Sequence, residues 1–337
     1  MTFISHAQNC EDVILWRALK ELESGYYVDV GAAWPTFHSV TKAFYDRGWN
    51  GINVEPNPRL LHELNLERPR DLNLGVVIGE APGEALINVM SNAGLSTVVE
   101  SIAENHIGLG FEHTAIKVPM TTLAAICEEH IGAGKPIHFL KVDVEGFETA
   151  ALRGNDWTRF RPWIVIVEAM EPMKQIENHQ EWENIILEAK YGFVYTDGLN
   201  RYYLADEHKA LAIRFQYPPN IFDDYMQVEM QTALMEAEQR QVRVQALQSE
   251  KEALTAKLNE KLALEHYQNA RSAIEAALFH FDGRPRKLIR RICFHSDGRC
   301  RKLLHKAVFH RDGRARKAFR LWLSSEKYRN LPCSIQI

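Results

Sequence analysis

No apolar run in this chain approaches the roughly 20 residues that a membrane-crossing helix needs, so the sequence offers no transmembrane candidate. The opening stretch, MTFISHAQNCEDVILW, lacks the basic start and apolar core of a leader, and a cleaved secretion signal is not expected. Cysteine is sparse and scattered. Cys10, Cys127, Cys293, Cys300 and Cys333 form no C-x-x-C pair, which argues against a disulfide framework and against a zinc site. A reduced, cytoplasmic protein is the expected setting. The full G-x-G-x-x-G fingerprint is missing as well: the candidate loop reads Val28-Asp29-Val30-Gly31-Ala32-Ala33. That argues against a dinucleotide with a pyrophosphate to cradle and suits a ligand without phosphate.

What is present has the rhythm of an α/β domain. Short β-rich runs alternate with helical patterns over residues 26–206, as in parallel βαβ units. Strands are expected at Tyr26–Ala32, Gly51–Pro56, Leu72–Ile78, Leu86–Met90, Ile137–Asp143 and Trp163–Glu168. Helices are expected at Thr36–Arg47, Pro58–Glu67, Thr121–His130, Phe147–Leu152 and Trp182–Ala189. The stretch Gly79–Lys117 is less regular. Phe193–Thr196 and Arg201–Leu204, joined through Asp197-Gly198, read as a hairpin. The whole is a doubly wound, mostly parallel sheet closed by an antiparallel hairpin.

Beyond Tyr225 the character changes. Residues 226–266 contain neither Pro nor Gly, and a 3/4-spaced seam runs through Met226, Met230, Ala233, Ala237, Val244, Leu247, Leu254 and Leu258, interrupted by Arg240 and Lys251. This predicts a helix that forms a coiled coil over about 226–270 and a homo-oligomer through it. The tail, 271–337, repeats at a period of 15: Phe279–Arg284, Phe294–Arg299 and Phe309–Arg314 each follow the pattern FHxDGR, and a basic pair comes after each. Phe279–Arg329 holds 16 Lys+Arg against 4 Asp+Glu, a net of +12, which leaves −16 on the remainder of a chain whose formal charge is −4. An acidic body with a basic tail should seek an anionic surface. Anionic lipid, which would place the protein at the inner face of a membrane, and a protein partner such as a glycosyltransferase are weighed evenly. Nucleic acid comes last, because the tail contains no recognised reading module. The recurring His280, His295 and His310 are read as turn or cap residues in preference to metal ligands.

In a doubly wound sheet, ligands bind beyond the carboxyl ends of the strands. Five carboxylates fall at those ends: Asp29, Glu55, Asp143, Glu145 and Glu168. Gly31 follows Asp29, where a missing side chain lets the backbone approach a ligand. Glu55 lies 26 residues beyond Asp29, about where a carboxylate accepts hydrogen bonds from a ribose diol. Any one of these acids could instead satisfy loop amides. Trp34 stands at the ligand edge, where it could stack on a sugar ring, although packing is the plainer role for the tryptophans.

Several ordered stretches resemble the FkbM-type methyltransferase family from about Phe3 to Asp224. They are Ser5-His6-Ala7-Gln8-Asn9-Cys10-Glu11-Asp12, Tyr27–Ala32, Arg47–Pro56, Phe139–Glu148 and Arg161–Glu168. The resemblance implies a Rossmann-like class I methyltransferase fold over 1–225 and O-methylation of a hydroxyl, often on a sugar of a surface polysaccharide, with S-adenosylmethionine as donor. It implies that Asp29, Gly31 and Glu55 hold the cofactor and that Gln8 and Asp12 close over it from an N-terminal helix. Asp143, Glu145 and Glu168 become the chemical end. The chain departs from the family at Ala32-Ala33-Trp34-Pro35, where Ala-Asn-Asp-Pro is common.

A sugar hydroxyl is weakly acidic, so a base or a divalent metal must assist its deprotonation. Asp143 is the candidate base, with His38 and His106 as alternatives. Equally, Asp143 with Glu145 or Glu168 could hold Mg²⁺. Two other functions stay open. One is an inactive methyltransferase-fold scaffold that organises glycan assembly; the other is a metal-dependent sugar-transfer enzyme built on Asp143-Val144-Glu145. A glycan or glycan-lipid is the expected substrate.

Overall fold

The computed structural model of the chain describes residues 2–90, 96–132 and 134–278. Twelve strands occur among them: β1 (Phe3–Ser5), β2 (Tyr26–Val30), β3 (Asn50–Val54), β4 (Leu72–Leu74), β5 (Val77–Ile78), β6 (Gly83–Met90), β7 (His113–Thr121), β8 (Phe139–Val142), β9 (Ile164–Glu168), β10 (Tyr191–Thr196), β11 (Asn200–Ala205) and β12 (Tyr225–Gln227). The α-helices are α1 (Glu11–Leu19), α2 (Lys42–Asp46), α3 (Pro58–Glu67), α4 (Glu100–Gly108), α5 (Leu123–His130), α6 (Glu148–Arg153), α7 (Glu183–Glu188) and α8 (Val228–Leu278).

The main sheet has seven strands in the order β10-β11-β9-β8-β2-β3-β4. From β9 to β4 every pairing is parallel, whereas β11 runs against both of its neighbours. The central strands are nearly continuous apolar runs because both faces are covered. Ile164, Val165, Ile166 and Val167 are fully buried, and so are Phe139 and Val142. One core layer unites Val28, Ile52, Leu140 and Val165 with α5, α6 and α7. The other packs Tyr27, Phe139 and Ile166 against α1, Phe44 and Trp49. Local chemistry sets the helix starts. The Asn57 side chain accepts the Arg59 amide ahead of Pro58, and the Thr122 hydroxyl accepts the Ala125 amide. Asp197 accepts the amides of Leu199 and Asn200 at 2.9 and 2.7 Å, and this closes the β10–β11 turn.

Four expectations are corrected. The helix expected at Thr36–Arg47 is only α2, because residues 33–41 form a loop fixed by tertiary bonds. Arg68, fully buried and paired with Asp71, donates to the Pro35 carbonyl, Ser39 and Thr41 within that loop. The strand expected at Leu72–Ile78 breaks at Gly75: β4 stays in the main sheet, while β5 joins β6 and β7 in a separate three-stranded sheet. In the irregular stretch, β6 begins earlier than expected and pairs antiparallel with β7, a strand that periodicity did not reveal. Met226, placed on the helical seam, lies in β12, which pairs with β1.

Met1–Glu238 forms one compact unit and Gln239 begins a second. Among the described residues α8 is a single 51-residue helix whose seam residues Met230, Val244, Leu247, Leu254 and Leu258 are exposed. The FHxDGR repeats lie outside the described residues. No helix among those described is long and apolar enough to cross a membrane.

Candidate functional site

A cavity of about 670 Å³ opens at the carboxyl ends of β2, β3, β8 and β9. Beyond β2 the chain winds outward through β3 and β4; beyond β8 it winds the other way through β9. The cavity therefore sits at the switch point, where neighbouring loops part and leave a crevice. Glu55, Asp143, Glu145, Glu168, Gly31 and Gln8 all line it.

Asp143, Glu145 and Glu168 converge, each offering an oxygen within 4.8 Å of the others. Glu145 reaches this position from a left-handed backbone (φ 50°), a conformation rare for a side chain without special tolerance for it. One oxygen of Glu145 and one of Glu168 are buried without a hydrogen-bond partner. Burial, then the neighbouring charge of Asp143, pushes the pKa of both carboxyls well up.

Other predicted residues are engaged by the protein itself. Asp29 is 1% exposed; the Thr41 hydroxyl donates to one oxygen at 3.1 Å, and the other lies 3.6 Å from the Lys141 ammonium. Glu55 accepts the amides of Ala33 and Asn57 at 2.9 and 2.8 Å, and burial pushes its carboxyl up to about 7. Gly31 lines the cavity, and its lack of a side chain has a reason beyond the one expected. At φ 81° a Cβ would fall 1.7 Å from the Asp143 carbonyl oxygen, so the close approach is between β2 and β8. Asp12 is a correction: it does not line the cavity. Ser5 donates to one of its oxygens at 2.6 Å, and the amides of His6 and Ala7 to the other at 2.7 and 3.3 Å. Its neighbour Glu11 lines the cavity instead, accepting from Asn9 and Asn200, and burial holds its carboxyl at about 7. Of the alternative bases, His38 lines the cavity, whereas His106 is buried on α4 away from it.

The sequence reading missed the buried cation of the site. Lys141, in the middle of β8, is 8% exposed, with its ammonium 3.1 Å from Asp143, 3.6 Å from Asp29 and 3.3 Å from the Gly31 carbonyl. Burial alone would favour the neutral amine, but Asp143 and Asp29 outweigh it and raise its pKa, so the group stays charged. A lysine inside an otherwise apolar central strand was the available signal.

Residues 29–195 match the family model for the methyltransferase FkbM domain. This segment is similar to the FkbM methyltransferase family. The match begins at Asp29 and takes in Glu55, Lys141, Asp143, Glu145 and Glu168, so the FkbM domain contains every cavity carboxylate except Glu11. No curated protein matches the chain significantly.

Proposed function

We propose that the FkbM domain transfers a methyl group from S-adenosylmethionine to a sugar hydroxyl, on the doubly wound class I framework that the sheet order supports. The observation carrying this reading is the convergence of Asp143, Glu145 and Glu168 at the edge of a cavity that also contains the Gly31 and Glu55 loops. A cavity of about 670 Å³ lies within the usual range for small-molecule sites, about 300–1,000 Å³. The donor fits the residues present. Glu55 retains lone pairs for a ribose diol, the apolar Val76, Val77 and Ile78 flank it, and no phosphate-binding glycine loop is needed. When bound, S-adenosylmethionine supplies a methyl carbon activated by its sulfonium. The protein's own part is alignment and proton removal. Lys141 fixes Asp143, and Asp143 accepts the hydroxyl proton as the bond forms. Glu145 and Glu168, kept protonated by their raised pKa values, spare the site two further negative charges. They pass a proton onward only as they take another up, and S-adenosylhomocysteine leaves as the product.

A second reading of the same trio is a Mg²⁺ site, favoured by the buried unpartnered oxygens of Glu145 and Glu168. A Mg²⁺-dependent rise in melting temperature that Glu168→Gln abolishes would support it. We also propose that the exposed seam of α8 pairs with a second copy and that the basic tail docks on an anionic surface.

Calorimetric titration of the full chain with S-adenosylmethionine, with NAD as control, tests the main reading. Saturable binding of the first alone is expected. A folded protein that binds neither would favour the inactive scaffold and direct attention to Ala33-Trp34.

A further inference from the structure

The loop between β2 and α2 brings three rings together on the cavity wall. Trp34 and Phe37 meet edge to face at 5.6 Å, and Phe37 stacks on His38 at 3.7 Å. Phe37 is 48% exposed, and the ring lines the cavity together with Trp34 and His38. The loop is rigidly built. Ala33 and His38 both take left-handed backbone (φ 50° and 54°), Arg68 clamps Pro35 and Ser39, and Thr36 bonds Glu67 at 3.1 Å. Strain held in place beside a cavity is the mark of a surface shaped for a ligand.

The loop also links the two ends of the site. Its start is tied to Glu55 through the Ala33 amide. Its far end bridges to the N-terminal segment, His38 beside Ala7. That segment leads to Glu11, which bonds Asn200, and Asn200 pairs in register with Glu168. The loop is thus connected by bonded steps both to Glu55 and to the strand pair that carries Glu168, and its rings line the cavity that the carboxylates share.

Aromatic faces and unpartnered carboxylate oxygens together match one ligand chemistry. The flat C–H face of a saturated ring covers aromatic surface, while its hydroxyls, which both donate and accept, pair with the buried carboxyl oxygens that the protein leaves unpartnered. An adenine edge offers a single amino donor beside its ring-nitrogen acceptors, whereas a saturated polyhydroxylated ring offers several hydroxyl donors to a cluster of carboxyl oxygens. We infer that Trp34 and Phe37 form the acceptor platform, on which a polyhydroxylated saturated ring lies with one hydroxyl directed to Asp143, Glu145 and Glu168. This rests on the methyl-transfer reading for the use made of that hydroxyl, but the platform is a binding claim in its own right.

The test is saturation-transfer NMR on the full chain with S-adenosylhomocysteine present. The probes are methyl α-D-mannopyranoside, methyl β-D-glucopyranoside and methyl α-L-rhamnopyranoside, with phenol as the planar competitor. At least one glycoside should be saturated at its ring C–H protons. Affinity should drop about tenfold in Trp34→Ala/Phe37→Ala, the scale of losing an aromatic contact. The single Phe37→Ser change, at an exposed position, should give a smaller loss with an unaltered melting temperature. S-adenosylhomocysteine affinity by calorimetry should be unchanged in both. Saturation of phenol alone, no glycoside signal, signals indifferent to the substitutions, or weakened S-adenosylhomocysteine binding in the variants would each overturn the inference. Glycoside binding by a chain that does not bind S-adenosylhomocysteine would retain the platform and reject methyl transfer.

Discussion

Replacing Lys141 with methionine removes one charge while roughly preserving side-chain volume, and the cost can be worked from its partners. Asp143 is about a third exposed on its side chain, so solvent screens it and its share is small. Asp29 is different: at 1% exposure, its oxygen facing Lys141 has no hydrogen-bond donor. Breaking a buried pair from one side typically costs about 3–5 kcal/mol. There is also a ceiling, because Asp29 can take up a proton instead of remaining a lone buried anion. With an unfolded pKa of about 3.9, that proton costs about 4 kcal/mol at pH 7 and about 1.5 kcal/mol at pH 5. Burial already raises the Asp29 pKa, and removing the lysine raises it further. A carboxyl whose folded pKa is raised contributes most below its unfolded pKa and loses that contribution as pH rises. The variant should therefore lie about 3–4 kcal/mol below the parent at pH 7 and about 1–1.5 kcal/mol below it at pH 5. Urea denaturation of both proteins at the two pH values measures the difference. Asp29→Asn in the Lys141→Met background should recover much of the loss. A deficit independent of pH, or one that Asp29→Asn leaves untouched, would refute the reasoning.

Gly31→Ala should cost at least about 3 kcal/mol in the same denaturation assay, since the residue has φ 81° and its added carbon would strike the Asp143 carbonyl. A loss under about 1 kcal/mol would mean that β2 and β8 do not meet as described. Glu11, Glu55 and Glu148 all sit at about 7 in the folded chain, raised chiefly by burial. Unfolded glutamates titrate near 4.3, so the folded state holds extra protons between those values. The unfolding free energy should decline as pH rises from about 4.5 to about 7, and a flat profile over that window would contradict the assignment.

The central strands were legible because burial on both faces leaves an unbroken apolar run, as in Ile164–Val167. The β10–β11 hairpin was legible because Asp197-Gly198 determines its turn locally. The failures share one cause. The 33–41 loop has enough helical pattern to mislead, yet its shape is set by Arg68, some thirty residues away in sequence, through bonds that no periodicity encodes. The β7 strand, His113–Thr121, is exposed at most positions and contains Pro119, so it lacks the alternation by which a strand is read; its partner β6 defines it. Gly75 divides the expected Leu72–Ile78 strand, and only the sheet order reveals that the second half joins different neighbours.

The carboxylates were findable for a topological reason: they terminate strands, and strand ends in such a sheet share one rim. Their separate tasks were not findable, because a task depends on what each oxygen already bonds. Asp12 is fully engaged by Ser5, His6 and Ala7, and Glu55 is half engaged by two loop amides. Asp29 is engaged by Thr41 and Lys141. These acids complete the fold around the cavity. Glu145 and Glu168 each leave a buried oxygen without a donor. An unsatisfied buried polar group costs about 1–3 kcal/mol, and at a cavity wall, where Glu145 and Glu168 lie, a ligand can relieve that cost. Asp29 also has an oxygen without a hydrogen-bond donor, but it faces the Lys141 ammonium, whereas Glu145 and Glu168 have no cation within ion-pair reach among the described residues. Under the proposed methyl-transfer reading, the reacting hydroxyl would then lie at the edge of β8 and β9, where Glu145 and Glu168 stand.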